Sequence, residues 1–185
     1  MFDLNIFVGW VIRGCELLIV LYLLLELRQK RMSLFFGGKR NLQSANDHEI
    51  HSCFLTALTV MLFHFIGSGF SQYILTFDME RAALIQFYYM AMLANSVAFA
   101  LALFAAHLVR GCSFSFTSRA CLYLTMLMGL VQSTQFVSHG LYDSSMFHSF
   151  YQYGVMLINL VCLGVVSMLP LRILGHKFKR KGAYE

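Results

Sequence analysis

The sequence predicts an all-α, polytopic integral membrane protein with five transmembrane helices, its N-terminus outside and its C-terminus cytoplasmic. Three observations carry that expectation. Hydrophobic residues make up 58% of the 185 residues and charged residues only 12%, whereas a soluble domain carries about 25% charged residues. Water is therefore not the main solvent of this surface. Five stretches, 5–27, 53–77, 82–109, 120–142 and 147–174, each supply the roughly 20 mainly apolar residues of a bilayer crossing. The Lys and Arg residues between them fall almost entirely on one side. A chain of this length holds the spans and little more, so 1–185 reads as a single transmembrane domain.

Orientation follows from the cations. The basic loop 28–52 carries Arg28, Lys30, Arg31, Lys39 and Arg40. Arg110 and Arg119 flank the third connection, and Arg172, Lys177, Lys179, Arg180 and Lys181 close the fifth span and the basic tail 175–185. The opposite side has Arg81, beside Asp78 and Glu80. Basic loops stay in the cytoplasm, and five crossings put the two termini on opposite sides, so charge and span count agree. The expected location is a plasma (inner) membrane, bacterial in type. The net charge of +5 reads as this topology signal rather than as a nucleic-acid surface.

In the first span, MFDLN precedes the apolar run without the basic n-region of a secretory signal, so a retained span is expected. Arg13 and Glu16 are three residues apart, share a helix face and are expected to pair. Such a pair either fixes the helix or marks an ion or proton site.

The second span is preceded by NDHEIH. Asn46 or Asp47 is the expected N-cap. His48 and His51 form an H-x-x-H pair that a divalent metal would otherwise use, although the spacing is not that of HExxH. Farther along, His64 lies near mid-depth, and Gly67 and Ser71, with Ser68 and Gly69, are small enough for close helix approach.

In the third span Ala94, Ala98, Ala102 and Ala106 recur every fourth residue and stack along one face. This ridge predicts a central packing helix, with Asn95 beside it in need of a hydrogen-bond partner. The fourth span places Gln132, Gln135 and His139 on one face, and the fifth places His148, Gln152 and Asn159 on one side. The connections after the second and fourth spans are short enough for antiparallel hairpins. Trp10, Tyr73, Tyr88, Tyr142 and Tyr151 fall near the expected outer borders, and Phe35 and Phe36 follow the basic run near the headgroup layer.

Depth organises the polar residues. Arg13, Glu16, His64, Asn95, Gln132, Gln135, His139, Gln152 and Asn159 all fall near the midplane or in the outer half, while inner halves such as LIVLYLLL and FALALFAA are apolar. They are expected to form either an interhelical hydrogen-bond network or a wet, outward-facing vestibule that stops at an apolar plug.

The chain lacks a Walker loop, GxSxG, GxGxxG and CxxC, so no reaction is specified. None of Cys15, Cys53, Cys112, Cys121 and Cys162 falls in an outer loop, and no structural disulfide is expected. No cofactor is expected either, though histidines in several spans leave b-type haem as an alternative. Same-depth histidine pairs would be His51 with His107 and His139 with His148.

The functional expectation is a small membrane subunit that oligomerises or joins other membrane subunits. Helix packing would run through Ala94, Ala98, Ala102, Ala106, Gly67 and Ser71. The lipid bilayer and an acidic cytoplasmic protein would meet Arg28, Lys30, Arg31, Lys39, Arg40, Lys177, Lys179, Arg180 and Lys181. The alternatives are a channel, pore or small transporter built on the vestibule, and a haem-bearing membrane anchor of an electron-transfer complex.

Overall fold

The computed structural model describes residues 4–29, 42 and 44–181. Its regular structure consists of helices α1 (Leu4–Gln29), α2 (Ala45–Ile74), α3 (Arg81–Arg110), α4 (Phe116–Gln135) and α5 (His148–Lys181), with a π-helical segment, Phe136–Leu141, continuing α4. Among the described residues, five helices are long and apolar enough to cross a membrane. In lipid an unpaired backbone group costs several kcal/mol, and helices pair their own. Ser and Thr side chains follow the same economy: Thr59 and Ser167 each donate to the carbonyl four residues back.

The connections alternate between two ends of the bundle. The C-terminal ends of α1, α3 and α5 and the starts of α2 and α4 share a basic end. The α2–α3 and α4–α5 turns and the start of α1 share the far end.

Element boundaries differ from the expected spans where polar residues continue a helix. α2 begins eight residues before 53. Its N-cap is Ser44, not Asn46 or Asp47: Ser44 Oγ accepts from Asp47 N at 3.1 Å, and Asp47 Oδ2 accepts from Ser44 N at 3.2 Å. This reciprocal cap supplies partners for two orphan N–H groups. The polar turn that follows is helical because His51 and Ser52 bury against protein. α5 likewise runs past 174 to Lys181.

Pro170 lies inside α5 without ending it. A proline cannot donate to the carbonyl four residues back, which is that of Val166. The Cys53 thiol, 3.9 Å away on α2, donates to that oxygen instead. α3 ends at Gly111, whose φ of 69° is left-handed and whose N–H donates to His107 O and Leu108 O. Glycine adopts that conformation without a Cβ penalty.

The central helix is α2, not α3. α2 packs against each of the other four helices, whereas α3 packs on α2, α4 and the π-helical segment. α3 turns Tyr89, Met92, Ser96, Phe99, Leu103, His107 and Arg110 inward. The alanine ridge faces another way: Ala94 and Ala98 are exposed, and Ala102 and Ala106 are half-buried. Bulk explains the exchange. Phe99 and Leu103 remove far more apolar surface from their surroundings than a methyl group does.

The main apolar core fills the basic half, with Leu23, Leu27, Leu55, Val60, Leu103, Cys121 and Val166 at its centre. Around it Leu18, Leu25, Leu101, Leu108, Leu130, Leu157 and Leu171 point outward. Contiguous apolar surface of that kind suits lipid.

Candidate functional site: a cavity among five helices

In the far half a cavity of about 570 Å³ is lined by all five helices. Its polar lining comes from Arg13 on α1, His64, Ser68 and Gln72 on α2, Asn95 on α3, Gln132 on α4 and Asn159 on α5. Its apolar lining includes Trp10, Phe63, Met92 and Ile158. Toward the basic end it stops at Val60, Phe99, Leu124 and Cys162, with the apolar core beyond.

The expected Arg13–Glu16 ion pair does not form. Arg13 Nε donates to Gly9 O at 3.0 Å and Nη1 to Ser68 Oγ at 3.0 Å. Its guanidinium carbon sits 4.2 Å from the centre of the Trp10 ring, a cation–π contact. Glu16, three residues deeper, reaches α2 instead. Its Oε1 lies 2.6 Å from His64 Nδ1, and the carboxylate is only 1% exposed. A carboxylate acceptor puts the proton on Nδ1. Backbone and hydroxyl groups lie within easier reach of Arg13, so each charge finds a separate partner.

The other residues of the expected polar layer divide between cavity and periphery. Asn95 on α3 approaches Gly67 on α2 so closely that a Cβ there would lie 3.0 Å from its Nδ2. Gln132 Oε1 accepts from Ser96 Oγ at 2.9 Å. Gln135 is fully buried away from the cavity, its Nε2 donating to Tyr89 Oη at 3.3 Å. His139 lies in the π-helical segment, 3.8 Å from Asp143 and flanked by the rings of Tyr89 and His148. Gln152 is exposed on α5 and does not join the layer. Tyr88 and Tyr151 line the cavity rather than marking a border, and Ser71 lines it too.

A second polar cluster, at the basic end, has no counterpart in the sequence reading. Ser52, Thr56, His107 and Ser118 are all buried. Ser52 Oγ and Ser118 Oγ each lie 2.9 Å from His107 Nε2, and Thr56 Oγ1 lies 2.6 Å from Ser118 Oγ. His107 Nδ1 donates to Leu103 O at 2.8 Å, leaving Nε2 as an acceptor. The ring stacks on Phe114 with centroids 4.2 Å apart. This cluster joins α2, α3 and α4. Its signal was the i, i+4 pair Ser52 and Thr56, hidden because Ser52 fell at the end of the expected loop and Thr56 inside the expected span.

Of the histidines considered for metal or haem, His48, His51 and His107 are otherwise engaged. His48 Nδ1 accepts from Ser113 N at 3.3 Å. His51 Nδ1 donates to Asp47 O, and its Nε2 accepts from Arg110. His51 and His107 therefore present no pair of free ring nitrogens at one depth. Among the described residues, no group of three or more His, Cys, Asp or Glu is placed to hold a metal ion.

Of the candidate lipid- or partner-contacting cations, Arg28 and Lys179 are exposed, while Lys177 pairs with Glu26 and ties α5 to α1. Lys30, Arg31, Lys39 and Arg40 lie outside the described residues, as do Phe35 and Phe36, and the side chains of Arg180 and Lys181 are also outside them. Cys112, between α3 and α4, is buried, and burial pushes its thiol above the ordinary value.

No protein family, curated protein or solved structure matches the chain.

Proposed function

We propose that the chain is a solute-binding integral membrane protein of channel or small-transporter type. In this reading the cavity is an outward-facing vestibule and the apolar core beyond it is the closed part of the path. One observation carries the proposal: polar side chains from all five helices converge on a single 570 Å³ cavity. Ligand sites are typically concave, largely apolar, 300–1,000 Å³ in size and furnished with a few converging polar groups. A bundle that needed only interhelical hydrogen bonds would close around them. The distribution of Lys and Arg supports an N-out, C-in arrangement in a plasma membrane.

The test is accessibility. Single cysteines at Ser68, Asn95 and Asn159 are expected to react with a membrane-impermeant thiol reagent from the N-terminal side, in a chain whose native cysteines are replaced. Silence at all three, with Leu55→Cys equally silent and a tag at the N-terminus reactive, rules the vestibule out.

A second reading, an oligomerising subunit of a membrane complex, is favoured by the exposure of Ala94 and Ala98 on α3. Small residues on an outward face let a neighbouring helix approach closely in lipid. Intact-particle mass in mild detergent tests it. A particle heavier than one chain that dissociates in Ala98→Leu supports the subunit reading.

A further inference from the structure

We infer that the cavity takes an amphipathic anion, with a carboxylate or phosphate head and an apolar body, and that its binding is linked to protonation of His64. This rests on reading the cavity as a binding site, and it follows from which charges a solute can reach.

Glu16 supplies a negative charge at this depth but is sealed behind His64 and 1% exposed, so a cationic ligand has no access to its oxygens. Arg13 does line the cavity. Two of its nitrogens are held by Gly9 and Ser68, which fixes the guanidinium in place, while Nη2 has no hydrogen-bond acceptor among the described residues. Gly9 leaves that side of Nη2 uncovered, where an added Cβ would stand in van der Waals contact with it at 3.7 Å. The accessible charge is thus positive, and a guanidinium binds a carboxylate or phosphate through charge-assisted hydrogen bonds. Trp10, Phe63 and Ile158 offer apolar surface for the rest of the ligand.

Charge balance brings in His64. The titratable groups around the cavity are Arg13 and Glu16 on α1, His64 on α2, Tyr88 on α3, and Tyr151 and Cys162 on α5, the last beside Cys121 on α4 at 3.7 Å. Arg13 and Glu16 cancel each other, so an added anion leaves one uncompensated negative charge in low dielectric. Protonated His64 offsets it, and imidazole is the group whose charge changes near neutral pH. Linkage is reciprocal: the anion favours the proton and the proton favours the anion. Raising pH through the His64 titration must weaken the anion.

Trp10, the chain's single tryptophan, lines the cavity and reports occupancy. The full chain in phosphatidylcholine nanodiscs is titrated with benzoate, benzyl alcohol and benzylamine, which share a ring and differ in charge. Benzoate is expected to change Trp10 emission saturably and to bind at least about tenfold more tightly than the other two. Arg13→Gln is expected to remove the preference for benzoate over benzyl alcohol and benzylamine, and Arg13→Lys to restore part of it. Benzoate affinity should fall by up to about tenfold per pH unit on the alkaline side of the His64 titration, and His64→Gln should flatten that slope.

Equal binding of all three probes, or a preference for benzylamine, overturns the anion while leaving a binding cavity. A benzoate preference whose pH slope survives His64→Gln overturns the linkage. No saturable response to any probe, with the cavity cysteines also unreactive, overturns the binding site itself. Repeating the benzoate titration with phosphatidylglycerol in the nanodisc separates the sources. Displacement identifies a lipid headgroup as the anion, and undiminished binding identifies a soluble one.

Discussion

At the scale of single residues, the hydroxyl–imidazole cluster at the basic end is the clearest stabilising feature. Ser118 Oγ lies within hydrogen-bond distance of His107, Ser52 and Thr56 at once. Ser118→Ala leaves those buried partners to satisfy one another. The expected loss is about 1–3 kcal/mol, the usual penalty for orphaning a buried polar group, read as a lower melting temperature in detergent. Cys112 makes a second residue-scale prediction. Its thiol is held above the ordinary value by burial, so it carries less thiolate at neutral pH than a free cysteine. Alkylation followed by peptide mass spectrometry should find it slow near neutrality, with a rate still climbing past the pH at which an exposed thiol has levelled off. Sequence spacing brought Arg13 and Glu16 to one helix face, but spacing on one helix says nothing of the neighbouring one. Ser68 and His64 came from α2 and separated the two charges.

At the scale of elements, Pro170 and Cys53 form a unit across two helices. Cys53→Ala removes the donor at Val166 O. In a Pro170→Ala background the helix regains its own N–H for that oxygen, so Cys53→Ala should cost less there. A double-mutant cycle is expected to show coupling of about 0.5–1 kcal/mol. Gly111→Ala forces an L side chain into the left-handed region and should cost about 1–2 kcal/mol. Five long helices were legible because their length and apolarity far exceed what a short buried segment needs. Helix ends were less legible. Apolarity was taken as the boundary of α2, but the true start was set by the Ser44–Asp47 cap, and His51 and Ser52 after it are buried by neighbours the sequence does not name. The π-helical segment after Gln135 left no pattern to read, because one wider turn changes hydrogen-bond register without changing composition. The alanine ridge is a real periodicity, but a stripe shows which residues align and not which stripe turns inward: Ala94 and Ala98 face outward, while Ala106 packs on the core.

At the scale of the molecule, charge, span count and the depth of the polar residues were all visible in one chain, and five of the nine residues expected in the polar layer line the cavity: Arg13, His64, Asn95, Gln132 and Asn159. That these side chains border a cavity was not readable, because it depends on how far apart the helices stand. The buried hydroxyls of Ser52 and Ser118 clamp three helices at one end, and the Glu26–Lys177 pair fastens a fourth to the fifth there. The other end holds the cavity, and its fasteners, Arg13–Ser68, Glu16–His64 and Ser96–Gln132, each join only one pair of helices. The bundle is therefore jointed like a pair of tongs, stiff at the grip and compliant at the tips. Deuterium should enter the amides of 62–72 and 152–158 well before those of 103–110 and 117–122, and gentle heating should splay the molecule from that loose side first.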